Sequence, residues 1–350
     1  MNRETFVALL GLSFALLLTW GFRTLPGERW QILATIPLGK DADGAWRGVN
    51  LTYYGLLSAT AYVVALAVMF ILSGSVGVPP LAILALGLAT LSVCVPAARV
   101  VARIVEGKRH TFSVAGAFFV AVPLAPVLLS AANRIFAHRL GHGLPLLPLL
   151  AAMAIAYSIG EGLGRLACIS FGCCYGQSIS EAHPVLRRVF SRVHFRFSGA
   201  MKKIAYAGGL QDVPVIPVQA ITSVLYVSTG LVGVALFLHA HYLAAYLVVM
   251  VITQSWRVLS ETLRADYRGG GRISAYQFMA VTSAALGIVI GWWLAGGAAP
   301  EPSLAAGLAA LWNPYVLLFL QGCWLATFLY TGRSMVTEAT VSLRVCRERI

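Results

Sequence analysis

Charge is what this chain has least of. Only 11% of its 350 residues are Asp, Glu, Lys or Arg, against 59% apolar, and the mean hydropathy is +0.79. A soluble domain carries about a quarter charged residues, so a water-soluble globular protein is excluded. Acidic residues are scarcer still, 13 against 26 basic ones, for a net charge of +13. In a soluble protein that balance would suggest nucleic acid, but no basic motif interleaved with aromatics offers a base-stacking surface. No nucleic-acid partner is expected. In a membrane protein, loop Lys and Arg reflect topology and contact with anionic headgroups.

Metal signatures are also missing. The seven histidines form no HExxH or comparable spacing. No pair among the six cysteines has CxxC spacing with a second CxxC or a nearby His, so no metal site is expected. No A-x-A-like site follows the first apolar run, so residues 1–22 are expected to form an uncleaved helix, not a signal peptide. Low-complexity segments and fixed-period repeats are absent too.

Long apolar runs are present in number. Spanning a hydrocarbon core takes about 20 apolar residues. Runs at 1–22, 51–72, 81–98, 112–129, 145–159, 216–238, 242–252, 274–295 and 310–330 predict an all-α polytopic membrane protein. We expect a helical bundle of about 8–9 spans with a small extramembrane cap. Residues 177–215, the longest polar excursion, partly alternate between apolar and polar positions and predict a β-containing cap. Residues 1–50 read as an extra helix and polar segment, 51–295 as the membrane core, and 296–350 as an extra span with a basic tail.

Residues 164–176, GRLACISFGCCYG, break the habits of a membrane helix. They carry Arg165, Cys168, Cys173, Cys174 and glycines at 164, 172 and 176. A charge at membrane depth marks a functional-site hypothesis by default. Glu161 lies four residues earlier, on the same helical face. The pair reads either as a structural ion pair or as part of an anion clamp, in which Arg165 grips a phosphate. A second constellation is WRVLSETLRADYRGG, residues 256–270. Arg257, Glu261 and Arg264 share one helical face, followed by Asp266 and Arg268. It reads as a salt-bridged helix end or as a headgroup site. Pro217 opens a helix and Gln219 follows within its first turn. Tyr53-Tyr54-Gly55 reads first as an aromatic belt. His110 stands at the head of a span. Cys94 and Cys323 read as small core residues. A bond from Cys168 to Cys173 or Cys174 would need an oxidising compartment.

Taken together, these stretches resemble the prolipoprotein diacylglyceryl transferase family. GRLACISFGCCYG is similar to its glycine- and arginine-bearing signature. IPVQAIT (216–222) keeps Pro217 and Gln219, SWRVLSETLR (255–264) keeps Arg257, Glu261 and Arg264, and TYYGL (52–56) keeps Tyr54 and Gly55. The order agrees from about residue 50 to 290. The resemblance implies a bundle with a lipid-accessible cavity in a bacterial cytoplasmic (inner) membrane. It implies transfer of diacylglyceryl from phosphatidylglycerol, or another anionic phospholipid, to a lipobox cysteine thiol in a prolipoprotein signal peptide. Arg165 and Arg257 would hold the phosphate and Glu261 would orient arginine. Tyr54, Gln219 and Arg264 would contact the headgroup, and Gly176 would permit its close approach. No cofactor or metal is implied.

The chain also departs from that pattern. TFSVA at 111–115 lacks the family's histidine and paired glycines, and His110 is shifted from that place. Cys168 and Cys173 replace an asparagine and a glutamate, and Ile216 replaces a histidine. The cysteines are candidate nucleophiles or buried structural thiols. Orientation conflicts as well. Placing the site outside the cell puts 22 Lys and Arg on that side and leaves Arg3, Arg134 and Arg139 on the other. The positive-inside rule prefers the reverse. A paralogue with a different acceptor and a non-catalytic lipid-binding or transport protein are the alternative readings.

Overall fold

A computed structural model describes residues 2–29, 31–107, 112–268, 273–297 and 299–350. Helix α1 (Arg3–Thr24) opens on Asn2, whose side chain accepts from the Thr5 N–H at 2.7 Å. Strands β1 (Ile32–Lys40) and β2 (Trp46–Thr52) follow as a hairpin. Then come α2 (Tyr53–Ser75), α3 (Pro80–Glu106), α4 (Val114–Leu140) and α5 (Leu146–Phe171). The cap holds α6 (Pro184–Phe190), β3 (Phe195–Arg196), α7 (Lys203–Gly208) and β4 (Pro214–Val215). The chain ends with α8 (Val218–Leu238), α9 (Tyr242–Leu263), α10 (Ala275–Leu294), α11 (Leu304–Leu311), α12 (Pro314–Thr331) and β5 (Arg333–Val341). Nine of the described helices are long and apolar enough to cross a membrane. The protein is a multi-pass membrane protein.

Helix α5 is the axis of the bundle. It is the most buried of the nine spans and packs against α2, α8 and α9. Small residues allow this closeness, as expected where helices associate without a hydrophobic drive. A Cβ on Gly162 would stand 3.0 Å from the backbone nitrogen of Val227 on α8. Buried hydroxyls tie the same pair of helices: Ser158 Oγ donates to the Tyr226 carbonyl at 2.7 Å and Ser223 Oγ to the Gly162 carbonyl at 2.6 Å. The outer helices turn Leu12, Leu16, Trp292, Trp293 and Leu318 outward. In a membrane that surface meets lipid.

The structure differs from the sequence reading in three places. The polar segment after α1 and the basic tail pair with one another: β1, β2 and β5 form one antiparallel sheet. Where that sheet meets the bundle, a Cβ on Gly55 would stand 2.2 Å from the Gly332 Cα. The cap is mostly short helices and loops, and its strands are two residues each. Pro184 at the first helical position turns the expected alternation into α6. Finally, α4, α5 and α9 run 11 or more residues beyond the predicted apolar runs, to Leu140, Phe171 and Leu263. In α5 and α9 the extra turns carry polar groups that neighbouring helices bury.

Lys202 shows how the cap is held down. It is fully buried, and its Nζ donates to the Leu25 carbonyl at 2.9 Å and the Ser170 carbonyl at 2.8 Å, at the ends of α1 and α5. A cation suits helix C-termini. Burial pulls the Lys202 pKa down to about 8, with Glu28 acting in the opposite sense.

Helix alternation puts the sheet, the cap, and the α3–α4 and α9–α10 connections at one end. The opposite end gathers Arg3 near Pro302, Glu4 near His239, and Tyr242 near Pro300. The sheet end is thus the strongly basic one, and the positive-inside rule predicts it on the cytoplasmic face. An impermeant maleimide on intact cells should modify the His142→Cys variant at the opposite end. It should reach the exposed native Cys346 only after permeabilisation. Labelling of Cys346 in intact cells would reverse the orientation.

Candidate functional site

Three residues on one face of α5, at successive i, i+4 positions, begin the site: Tyr157, Glu161 and Arg165. Glu161 pairs with Arg165 along the helix. It also takes Arg257 from α9, whose Nη2 lies 3.5 Å from Glu161 Oε1 and donates to Tyr157 Oη at 2.5 Å. The side chains of Glu161 and Arg257 are each 7% exposed and that of Arg165 is 13% exposed. Two buried guanidinium groups therefore share one carboxylate, leaving one positive charge in excess. Both the Arg165 Nε and the Arg257 Nε are buried with no hydrogen-bond partner among the described residues.

The charges further along α9 are arranged differently. Arg264, just past the helix end, makes two parallel bonds to Asp266, Nε to Oδ1 at 2.7 Å and Nη2 to Oδ2 at 2.6 Å. Arg268 reaches Glu261 at 2.9 Å and Glu106 of α3 at 3.4 Å, and its guanidinium stacks 4.1 Å from the Tyr276 ring. Tyr276 Oη donates to Glu106 at 2.8 Å. Glu261 thus orients Arg268, and the carboxylate that holds Arg257 is Glu161. Positive excess gathers at Arg165 and Arg257, and negative charge at Glu261 and Glu106.

Arg165, Arg257, Glu261, Arg264, Gln219, Cys174, Trp256 and Ser260 line one cavity. Its volume is about 10 Å³, room for one water. Gln219 is buried at the start of α8. Its Nε2 donates to the Cys173 carbonyl at 2.9 Å, while its Oε1 has no partner among the described residues. Trp256 Nε1 donates to Thr222 Oγ1 at 2.8 Å. Gly176 forms a bridge with Arg264, and a Cβ there would stand 2.4 Å from the Ile216 carbonyl oxygen. Its lack of a side chain serves the chain's own backbone packing. Tyr54 meets Phe171 edge-on, 5.6 Å between ring centroids. Cys168 and Cys173 lie beside Cys174 at the end of α5. His110 falls outside the described residues.

No family model matches the chain, and no curated protein matches it. The geometry therefore stands on its own chemistry. Two buried guanidinium groups share one carboxylate, Glu161, and each keeps an unpartnered Nε donor among the described residues. Arg165, Arg257 and Gln219, singled out in the sequence, are brought together around one cavity. Sequence reading paired Glu161 with Arg165 but missed that Glu161 also serves Arg257, because that contact joins residues 96 apart.

Removing one partner of a buried ion pair costs about 3–5 kcal/mol. Glu161→Gln keeps the shape but strips both guanidinium groups of their counter-charge. It should lower the thermal unfolding temperature in detergent, and added phosphate ester should restore part of the loss. An unchanged unfolding temperature would show that the arginines do not depend on Glu161.

Proposed function

We propose that the protein is a phospholipid-dependent transferase that moves the diacylglyceryl group of an anionic glycerophospholipid onto a thiol. The observation that carries this reading is the excess buried positive charge at Arg165 and Arg257, inside a bundle of membrane-spanning helices. A phosphodiester brings one negative charge and several acceptor oxygens, which match the unused Nε donors. The cavity is too small for a phosphate while Glu161 holds both arginines. Binding therefore requires the headgroup to replace Glu161 on at least one of them.

The chemistry balances without a cofactor. The acceptor sulfur attacks the diacylglyceryl carbon that bears the phosphate oxygen. The new S–C bond forms as the C–O bond breaks, and its electron pair leaves on the phosphate of glycerol phosphate. The thiol proton ends on that phosphate. Arg165 and Arg257 stabilise the charge that grows on the leaving group, an effect of about 10²–10³ in rate for a single well-placed donor. Gln219 and Tyr54 are assigned to headgroup contact. Arg264, fully engaged with Asp266, is assigned to shaping the wall.

The default acceptor is a lipobox cysteine of a prolipoprotein. The charge asymmetry of the two ends supports a second acceptor, a thiol presented on the inner face, in the same kind of membrane. Purified protein incubated with headgroup-labelled phosphatidylglycerol and a lipobox peptide should release labelled glycerol phosphate. Arg165→Ala and Arg257→Ala should each lower that release at least about 100-fold. Full activity in either variant contradicts the clamp. Lipid retained without any release favours a non-catalytic lipid-binding protein.

A further inference from the structure

The three cysteines at the end of α5 are not used by the proposed transfer, yet the fold gathers them with some effort. Cys168 sits one turn before the helix end. Gly172 then turns left-handed, at φ 68°, and the Cys173 N–H bonds back to the Cys168 carbonyl at 3.0 Å. Cys174 is itself left-handed, at φ 57°, a conformation that costs an L residue other than glycine about 1–2 kcal/mol. The far side is pinned by Gln219, whose amide holds the Cys173 carbonyl, and by the Tyr175 carbonyl, which accepts from the Ala265 N–H at 3.1 Å. The outcome is three sulfurs that all lie within 4.8 Å of one another. Two successive tight turns and one residue of backbone strain serve that convergence.

We propose that Cys168, Cys173 and Cys174 form a three-thiolate site for a thiophilic d10 metal ion, Zn²⁺ being the best match. Zinc–thiolate bonds of about 2.3 Å at tetrahedral angles set the sulfurs about 3.8 Å apart. The observed sulfurs, all within 4.8 Å of one another, need to move by no more than about 1 Å to reach that size. Charge also fits. Three thiolates on Zn²⁺ carry one net negative charge, beside Arg165 and Arg264, which line the same cavity as Cys174. All three thiols are free. Three protons leave as the thiolates ligate, and no oxidant or reductant is involved. The spacing C-x4-C-C lacks the paired CxxC of zinc ribbons, which is why the sequence alone argues against a metal here. The site needs three ligands drawn together by one helix end, with the fourth position left to a small exogenous ligand.

The site does not rest on the transfer reading and is tested without it. Full-length protein in detergent is reduced, freed of reductant under anaerobic conditions and titrated with Co²⁺ alone, then with Zn²⁺. We expect one equivalent of Co²⁺ to bind with near-ultraviolet sulfur-to-cobalt charge transfer, and Zn²⁺ to bleach the band. Cys168→Ser and Cys174→Ser should each abolish the band, while Cys323→Ser and Cys346→Ser should leave it intact. The unmodified protein decides the matter even where a variant folds poorly. Absence of the band with all thiols reduced overturns the proposal, as does a band that survives the Cys168→Ser, Cys174→Ser double variant. A disulfide found among the three under those reducing conditions would overturn it too.

Discussion

One buried carboxylate, Glu161, holds two buried arginines, and the centre of this molecule is built around that arithmetic. Placing a charge at membrane depth is costly, and such charges persist where they pair or line a polar cavity. Arg165 and Arg257 meet both conditions, since they pair with Glu161 and line the cavity, but one negative charge serves two positive ones. The pair with Glu161 is thus one negative charge short, although the wider network balances four arginines with Glu161, Glu261, Asp266 and Glu106. Tyr157 relieves part of the strain by accepting from Arg257, a neutral oxygen in place of a second carboxylate.

The surrounding architecture keeps that imbalance local. Arg264 is neutralised by Asp266, and Arg268 is held between Glu261 and Glu106. Those pairs gather near the sheet end, where α9 gives way to the loop toward α10. The Arg165–Arg257 pair lies deeper, between α5, α8 and α9. The sheet of β1, β2 and β5 and the cap anchored by Lys202 cover the same end. Fold and charge together make one end of the bundle covered and strongly basic, and leave the other with few charges of both signs.

Much of this is legible in the sequence. The apolar runs predict about 8–9 spans, and the four-residue spacing of Glu161 and Arg165 is enough to put them on one helical face. The ends of α5 and α9 are not legible, because Glu161, Arg165, Arg257 and Glu261 depress hydropathy where neighbouring helices bury them. Pairing across the chain is hidden as well. Nothing local in residues 46–52 indicates that residues 333–341 will lie beside them, and Arg257 gives no sign that its carboxylate sits on α5. The cap misleads for a simpler reason: the apparent alternation of 185–197 is interrupted by a helix that Pro184 starts. The cysteine cluster is visible as composition and invisible as geometry, since its convergence depends on two left-handed residues, Gly172 and Cys174.

The proposed selection of an anionic headgroup by the excess charge at Arg165 and Arg257 is open to measurement. Native mass spectrometry of the protein with equal amounts of phosphatidylglycerol and phosphatidylcholine tests it most directly. Phosphatidylglycerol should be retained at least about tenfold more than phosphatidylcholine, a difference of about 1.4 kcal/mol, and an Arg165→Met, Arg257→Met double variant should lose the preference. Equal retention of the two lipids by the unmodified protein, or an unchanged preference in the variant, would contradict it.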